Sequence, residues 1–279
     1  MKNTVIVSGL PGNMATLIAQ EVGTSEHLSL FDVGLTGLDQ PSCFQLGEDG
    51  KSITLYSPKE REDYFLPYLR VQSLNEFNPI VVDFTHPDAV LENVQFYCRN
   101  NLPFVMGTTG GDRDQLEKIV RDSSVPAVIA PNMAMQVVAL QAGIAYMAET
   151  FPNAFSGFRL GVEESHQVNK VDTSGTAKAI VSSFNQLGVN FAVGDIEKIR
   201  DNSRQVRMGV PVEHLGGHGW HWYFLDNPEE TMHFEFVHNI NGRHPYVVGT
   251  IKAIEFLFKR IAEGCKGQVF SMIDVLKAG

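Results

Sequence analysis

Apolar positions along this chain follow two rhythms. In the first half, short runs of β-branched and aliphatic residues alternate with segments whose apolar positions recur every three or four residues. Val5, Ile6 and Val7 form such a run over 4–8, and Met14, Leu17, Ile18 and Val22 follow at helical spacing over 13–22. Further strands are predicted over 28–32, 80–84, 104–106 and 127–129, with short ones near 44–46 and 52–56, and helices over 88–97 and 114–122. Pro87 suits the first turn of the 88–97 helix, where its missing N–H loses no hydrogen bond. The remainder of 34–49 is rich in Gly, Pro and Ser and reads as loops. Alternation of this kind specifies a parallel sheet with helices on both faces. Right-handed crossovers then gather the strand ends at Gly9, Asp32, Thr85 and Gly107 on one edge.

A near-continuously apolar helix over 133–150 separates this region from a different pattern. Strands are predicted over 157–165, 195–200, 205–210, 219–225 and 230–239, with one helix over 175–187. The run Thr231-Met232-His233-Phe234-Glu235-Phe236-Val237-His238 has a two-residue period, so one face is expected to be exposed or to form a subunit contact. The chain ends in helices over 250–261 and 268–276, the first of which is expected to pack back on the first domain. The fold class expected is α/β: a Rossmann-type nucleotide domain with a parallel sheet (1–131 and 243–279) plus an α+β substrate and oligomerisation domain with an open mixed sheet (132–242). Two crossings between domains make a hinge, and hydride chemistry shared between them would need closure.

Composition narrows the function classes. The chain has 279 residues, long enough for two cores, and carries 32 acidic against 22 basic residues for a formal charge of -10. Its longest basic clusters are pairs such as Lys259-Arg260, so neither nucleic acid nor an anionic membrane is an expected partner. Cys43, Cys98 and Cys265 are odd in number and widely spaced, which fits a reducing compartment and neither a disulfide framework nor a zinc knuckle. The first strand starts directly after Lys2-Asn3, and no stretch approaches the roughly 18 uninterrupted apolar residues of a membrane span. A cytoplasmic protein, or the processed form of an organellar one (in the plastid stroma if that protein is a plant one), is expected.

Gly9-Leu10-Pro11-Gly12 follows the first strand, and a tight glycine turn there lets backbone approach a pyrophosphate. The helix start at Asn13 and Met14 supplies donors and a favourable dipole. The full G-x-G-x-x-G is absent, since Pro11 stands where a middle glycine is sought. Asp32, 23 residues after Gly9, is expected at a strand end where a carboxylate accepts bonds from ribose hydroxyls. No Lys or Arg occurs between Lys2 and Lys51, so a 2′-phosphate would meet an acid and no nearby cation. NADH is therefore favoured over NADPH. Gly107-Thr108-Thr109-Gly110, at another strand end, offers close approach and hydroxyl donors, and Thr85 shares that edge.

Chemistry concentrates in Glu164-Ser165-His166-Gln167-Val168-Asn169-Lys170-Val171-Asp172-Thr173-Ser174-Gly175-Thr176-Ala177. Asp172, Thr173 or Ser174 can cap the following helix, and N–H groups at Ser174, Gly175 and Thr176 suit a carboxylate. Lys170 adds positive charge, and His166 titrates near neutrality when unperturbed. Together they form a site for a small anionic substrate, with His166 and Lys170 as proton-handling groups. His214, His218 and His221 have metal-like spacing, but no carboxylate or cysteine completes a set; a glycine loop near substrate is the better reading, and no metal is expected.

These residues resemble the 4-hydroxy-tetrahydrodipicolinate reductase (dihydrodipicolinate reductase) family over nearly the whole chain, most closely its plant-type branch. The family pattern E-x-H-H-x-x-K-x-D-x-P-S-G-T-A maps onto the block above, with Gln167 in place of the second histidine and no proline before Ser174. The resemblance implies His166 as general acid and Lys170, Ser174, Gly175 and Thr176 as substrate-carboxylate groups, with Gln167 able to donate a bond. It implies a nicotinamide-side loop at Gly107, Thr108 and Thr109. Asn132-Met133-Ala134 resembles the family's hinge, and Pro131, Asn132 and Met133 are assigned to the coenzyme side. Phe151-Pro152-Asn153-Ala154-Phe155-Ser156-Gly157 and Glu213-His214-Leu215-Gly216-Gly217-His218 resemble the plant-type branch. The implied reaction is NAD(P)H reduction of the cyclic imine of 4-hydroxy-tetrahydrodipicolinate in lysine and diaminopimelate biosynthesis, by a homodimer or homotetramer built through the second-domain sheet. The alternatives are another NAD(P)-dependent amino-acid or hydroxy-acid dehydrogenase, or a non-catalytic NADH-binding sensor.

Overall fold

Ser8, Asp83, Met106 and Ile129 lie side by side in the register of four parallel strands, so the loops that leave them emerge along one edge. The structure is a computed structural model and describes residues 2–47, 50–73 and 78–279; Glu48 and Asp49, the end of the predicted loop stretch, lie outside these residues. The chain forms two compact units, Met1–Met133 with Tyr246–Gly279, and Ala134–Pro245.

The first unit runs β1 (Asn3–Ser8), α1 (Asn13–Thr24), β2 (Leu28–Leu30), β3 (Val33–Leu35), β4 (Cys43–Gln45), β5 (Ser52–Tyr56), α2 (Leu66–Ser73), β6 (Ile80–Asp83), α3 (Val90–Arg99), β7 (Phe104–Met106), α4 (Arg113–Arg121) and β8 (Ala127–Ile129). The strand order is β13-β8-β7-β6-β1-β3-β5-β4, with β2 also on β1; β13 comes from the chain end. Among the described residues of this sheet only β4 pairs antiparallel. Val5, Ile6, Val7, Val81 and Val82 are almost wholly buried, as strands covered on both faces require. In α4 the buried residues are Leu116 and Val120, one helical turn apart, and Asp112 caps its start by accepting the Gln115 N–H at 3.0 Å.

Three expectations change in this unit. The predicted strand over 28–32 does not stop at Asp32. Its register against β1 moves from Asn3↔Leu28, an offset of 28 − 3 = 25, to Ser8↔Leu35, an offset of 35 − 8 = 27, so two extra residues, Phe31 and Asp32, bulge between β2 and β3. The strand end is therefore Leu35. Patterning predicts no element between Tyr56 and Ile80, yet a π turn (Arg61–Phe65) leads into α2, held by burial of Phe65, Leu66 and Leu69. Of the predicted helix over 268–276, Val269 and Phe270 instead form β13 on β8, because a capping box between Ser271 and Asp274 starts α9 (Met272–Ala278) later. The helix α8 (His244–Ala262) is longer than the predicted one and precedes this strand.

The second unit runs α5 (Met135–Thr150), β9 (Arg159–His166), α6 (Gly175–Gln186), β10 (Glu197–Ile199), α7 (Asn202–Arg207), β11 (His218–Asp226) and β12 (His233–Asn241). Its sheet has the order β10-β9-β11-β12; β10 is parallel to β9 and the other pairs are antiparallel, giving an open mixed sheet. Ile144, Ala177, Ile180, Val181 and Phe184 from the helices cover Val162, Tyr223 and Leu225 of the sheet. The predicted strand over 205–210 is instead α7. Asp201 caps it by accepting the Arg204 N–H at 2.8 Å, and Gly209 at φ +99 terminates it, so local capping overrides the apparent alternation.

Candidate active site

In the first unit the strand edge forms a cleft of about 400 Å³ lined by Gly9, Gly12, Thr36, Gly37, Thr85 and Arg61 among others. Two glycines are required by close packing. A Cβ on Gly9, which has φ +108, would meet the Phe84 carbonyl oxygen at 2.2 Å, and one on Gly107 would meet the Phe84 ring at the same distance. The α1 N-terminus opens on Gly12 with no side-chain cap, and Asn13 is exposed there with Met14 half-buried behind it. The first amides of such a helix have no intrahelical acceptor and favour an anion. A nucleotide pyrophosphate therefore fits this edge, through backbone approach at Gly9 and Gly12. Thr85 and Thr108 are drawn together at the neighbouring strand ends, the Thr85 N–H lying 2.8 Å from the Thr108 hydroxyl, while Thr109 is exposed. Pro131 is exposed, Asn132 half-buried and Met133 buried, at the end of this part of the unit.

Asp32 does not line the cleft. Its Oδ2 accepts the Tyr68 hydroxyl at 2.9 Å, and its backbone oxygen accepts the Thr54 N–H. The bulge moves the carboxylate upstream of the strand end, where Thr36 and Gly37 stand instead. Arg61, a cation of this cleft, is 5% exposed and donates to Glu92 and to Asn93 Oδ1.

In the second unit β9 delivers His166 at its C-terminal end. The His166 Nδ1 lies 3.0 Å from the His218 carbonyl oxygen, which can only accept, so Nδ1 carries the proton and Nε2 presents a lone pair. That Nε2 is buried without a protein hydrogen-bond partner. Burial pushes the His166 imidazole down to about 4, and the positive charges of Lys170 and Arg200 act in the same direction against the His218 carbonyl. Lys170 Nζ holds both carboxylate oxygens of Asp172 at 2.9 Å, which lowers the Asp172 carboxyl. Gln167 is half-buried, and its carbonyl accepts the Lys170 N–H at 3.0 Å in the turn between them.

The start of α6 differs from the expected cap. Ser174 is the N-cap, but its side chain accepts no hydrogen bond from the first turn. The Ser174 N–H is not available to a substrate either, because it donates to Glu164 Oε2 at 2.9 Å. Gly175 is exposed, with open space where a Cβ would lie, and with half-buried Thr176 it forms the first turn beside the site.

Glu164 and Arg200 are the groups that the sequence did not single out. Glu164 is fully buried; its Oε1 pairs with Arg200, whose guanidinium also donates to the backbone oxygens of Lys170 and Glu164. A spacing of two on one strand places Glu164 on the face of His166, a usable cue; Arg200 reaches them only because β10 pairs parallel with β9. Donor atoms of Glu164, His166 and His221 lie within 4.8 Å of one another. The set does not fit a cation well, since both Glu164 oxygens are already engaged by Arg200 and Ser174. His218 and His221, three apart on a strand, face opposite sides; His218 Nε2 meets the Ser165 hydroxyl at 2.8 Å.

Comparison with known proteins covers nearly the whole chain. The family pattern described as "Dihydrodipicolinate reductase, N-terminus" matches residues 3–133, and "Dihydrodipicolinate reductase, C-terminus" matches 136–276. The chain is 44% identical over 99% of its length to "Probable 4-hydroxy-tetrahydrodipicolinate reductase 1, chloroplastic" of Oryza sativa subsp. japonica, covering 79% of that protein. It is 43% identical, over 99% of its length and 78% of the other, to "4-hydroxy-tetrahydrodipicolinate reductase 1, chloroplastic" of Arabidopsis thaliana. In fold it resembles "Dipicolinate bound Dihydrodipicolinate reductase from Paenisporosarcina sp. TG-14", with a TM-score of 0.65 at 19% identity, over 98% of this chain and 99% of that one.

Proposed function

The chain belongs to the dihydrodipicolinate reductase family, in its plant-type branch, and we propose how its own residues serve the reaction of that family. It reduces 4-hydroxy-tetrahydrodipicolinate, through the cyclic imine left by loss of water, to tetrahydrodipicolinate in lysine biosynthesis. Reduced nicotinamide supplies the hydride when bound.

The observation that carries the assignment of roles is the lone pair at His166 Nε2, fixed by the Nδ1 bond to the His218 carbonyl and buried beside the α6 start. With its pKa near 4, His166 is neutral in the free protein at pH 7 and has no Nε2 proton to give. A dicarboxylate held by Lys170 and the first turn of α6 brings two negative charges next to the ring. Opposite charge at short range favours the imidazolium, so substrate recruits the proton that His166 then returns to the anion formed on reduction. Lys170 would exchange Asp172, an exposed partner, for a substrate carboxylate. The Glu164–Arg200 pair holds the Lys170–Asp172 turn in place through its backbone carbonyls.

What supports NADH over NADPH is the absence of any Lys or Arg from Asn3 through Gly50, together with the engagement of Arg61 by Glu92 and Asn93. Asp32 does not contribute to that preference. What supports a homodimer or homotetramer is the edge strand β12, where Phe234 and Val237 are exposed. The rice and Arabidopsis relatives are named as chloroplastic, and the plastid stroma is the location they support for the processed protein. Among the described residues no helix is long and apolar enough to cross a membrane.

The test is a coupled assay in which the substrate is generated enzymatically and oxidation of the nicotinamide is followed by absorbance. Oxidation that depends on the generated substrate is expected. Nucleotide binding without such oxidation would leave only the sensor reading.

A further inference from the structure

Asp83 closes β6 with a carboxylate that is wholly buried, at the end of a strand that is otherwise entirely apolar. Five donors converge on it. Oδ1 accepts from the Thr85 hydroxyl at 2.8 Å, the Thr85 N–H at 3.2 Å and the Thr108 hydroxyl at 2.6 Å. Oδ2 accepts from Asn93 Nδ2 at 3.0 Å and from the Tyr97 hydroxyl at 2.7 Å. The Tyr97 oxygen lies 3.0 Å from the Ser8 hydroxyl, and Ser8 is the residue before the Gly9 turn. The Asp83 backbone oxygen takes the Gly107 N–H at 3.0 Å. The side chain therefore anchors the loops after β6 and β7 directly, and reaches Ser8, the last residue of β1, through Tyr97.

Its charge is compensated at one remove. Asn93 Oδ1 accepts from Arg61 Nη1 at 3.1 Å while its amide donates to Asp83, so a guanidinium and a carboxylate are linked through one amide. An uncompensated buried carboxylate would be strongly destabilising, and an apolar residue would do for a strand with only a packing role. Full satisfaction of the carboxylate makes the network rigid. Gly9 and Gly107 both pack against Phe84, the next residue, so a small shift of β6's end would move both turns.

We propose that Asp83 is a positioning residue for the coenzyme, holding the Gly9, Thr85 and Thr108 loops in the one arrangement that accepts a nicotinamide dinucleotide. It touches no ligand itself. The proposal rests on the reading that this strand edge binds NAD(P)H.

Asp83→Asn keeps size but replaces an acceptor by a donor, so at least one loop loses its anchor. The purified parent, Asp83→Asn, Thr108→Val and Thr108→Ser are titrated with NADH and with NADPH by nicotinamide fluorescence, without substrate, and their melting temperatures are recorded. For Asp83→Asn and Thr108→Val, Kd for the preferred coenzyme is expected to rise roughly ten-fold or more, while Thr108→Ser, which keeps the hydroxyl, stays near the parent. Dicarboxylate affinity, measured with pyridine-2,6-dicarboxylate on the same proteins, is expected not to move. Coenzyme Kd within about two-fold of the parent in both Asp83→Asn and Thr108→Val, even with a lower melting temperature, would overturn the proposal and leave Asp83 a stabilising residue only. If Asp83→Asn does not fold, Tyr97→Phe decides, since it removes a donor to Asp83 from a buried residue outside the cleft: a raised coenzyme Kd is expected, and a Kd within about two-fold of the parent would overturn the proposal. A parent that binds neither coenzyme defeats the binding reading itself, an outcome distinct from equal binding by parent and variants.

Discussion

The Glu164 carboxylate accepts the backbone N–H of Ser174 at 2.9 Å, so the N-cap of α6 is tied to a buried side chain of β9. The same carboxylate holds Arg200, which in turn holds the Lys170 carbonyl. Replacing Glu164 by Gln leaves a largely buried guanidinium without its counter-charge. A loss of about 3–5 kcal/mol is expected in urea unfolding, as for other buried pairs broken on one side. KM for the imine should rise, with coenzyme Kd unchanged; an unchanged KM would show that the pair does not position the substrate groups.

For His166, substitution by Gln should lower kcat by roughly 10²–10⁴-fold, the usual range for a lost general acid, with coenzyme affinity retained. Because the ring is neutral in the free protein and its pKa of about 4 is raised by a bound dianion, binding of pyridine-2,6-dicarboxylate near pH 6 to 7 should take up protons. Calorimetry in buffers of different ionisation enthalpy measures that uptake. Equal heats in all buffers, or uptake that persists in His166→Gln, would contradict the assignment.

Acid should destabilise the second unit before the first. Burial lowers His166 and His238 to about 4, His218 below its usual value and His221 well below it. All four bind a proton less readily in the folded chain than in the unfolded one, where imidazoles titrate near about 6.5, so the unfolded chain binds more protons as pH falls below that value. Stability contributed by these histidines is complete above pH 6.5 and falls as pH drops toward 4. Hydrogen exchange across this window should show protection lost first in β9 and β11. Uniform loss over both units would argue against this account.

Cofactor preference gives a further test. NADH should give the higher kcat/KM, and Asp32→Ser should keep that preference, since its carboxylate faces Tyr68 and not the cleft. A strong NADPH preference in the parent would refute the argument from missing cations. A switch caused by Asp32→Ser would place the carboxylate at the ribose after all.

The edge strand predicts an assembly effect. Val237→Lys puts charge on an exposed apolar position of β12. Light scattering after size exclusion should show a smaller species than the parent; identical masses would remove this strand from the contact.

Much of this protein was legible in its residue order. The Val5-Ile6-Val7 and Ile80-Val81-Val82 runs, the three- and four-residue spacings of α1 and α3, and the linear block from His166 to Thr176 all express themselves within a few residues, because strand and helix periods and helix starts are short-range properties. The caps at Asp201 and Ser271 are likewise local, each made within three residues of the helix start. What only the folded chain decided is which distant groups meet. The two-residue bulge that withdraws Asp32, the parallel pairing of β9 and β10 that brings Arg200 to Glu164, and the five donors gathered on Asp83 all follow from strand register. Register is fixed by burial summed over whole sheets, so no window of sequence contains it.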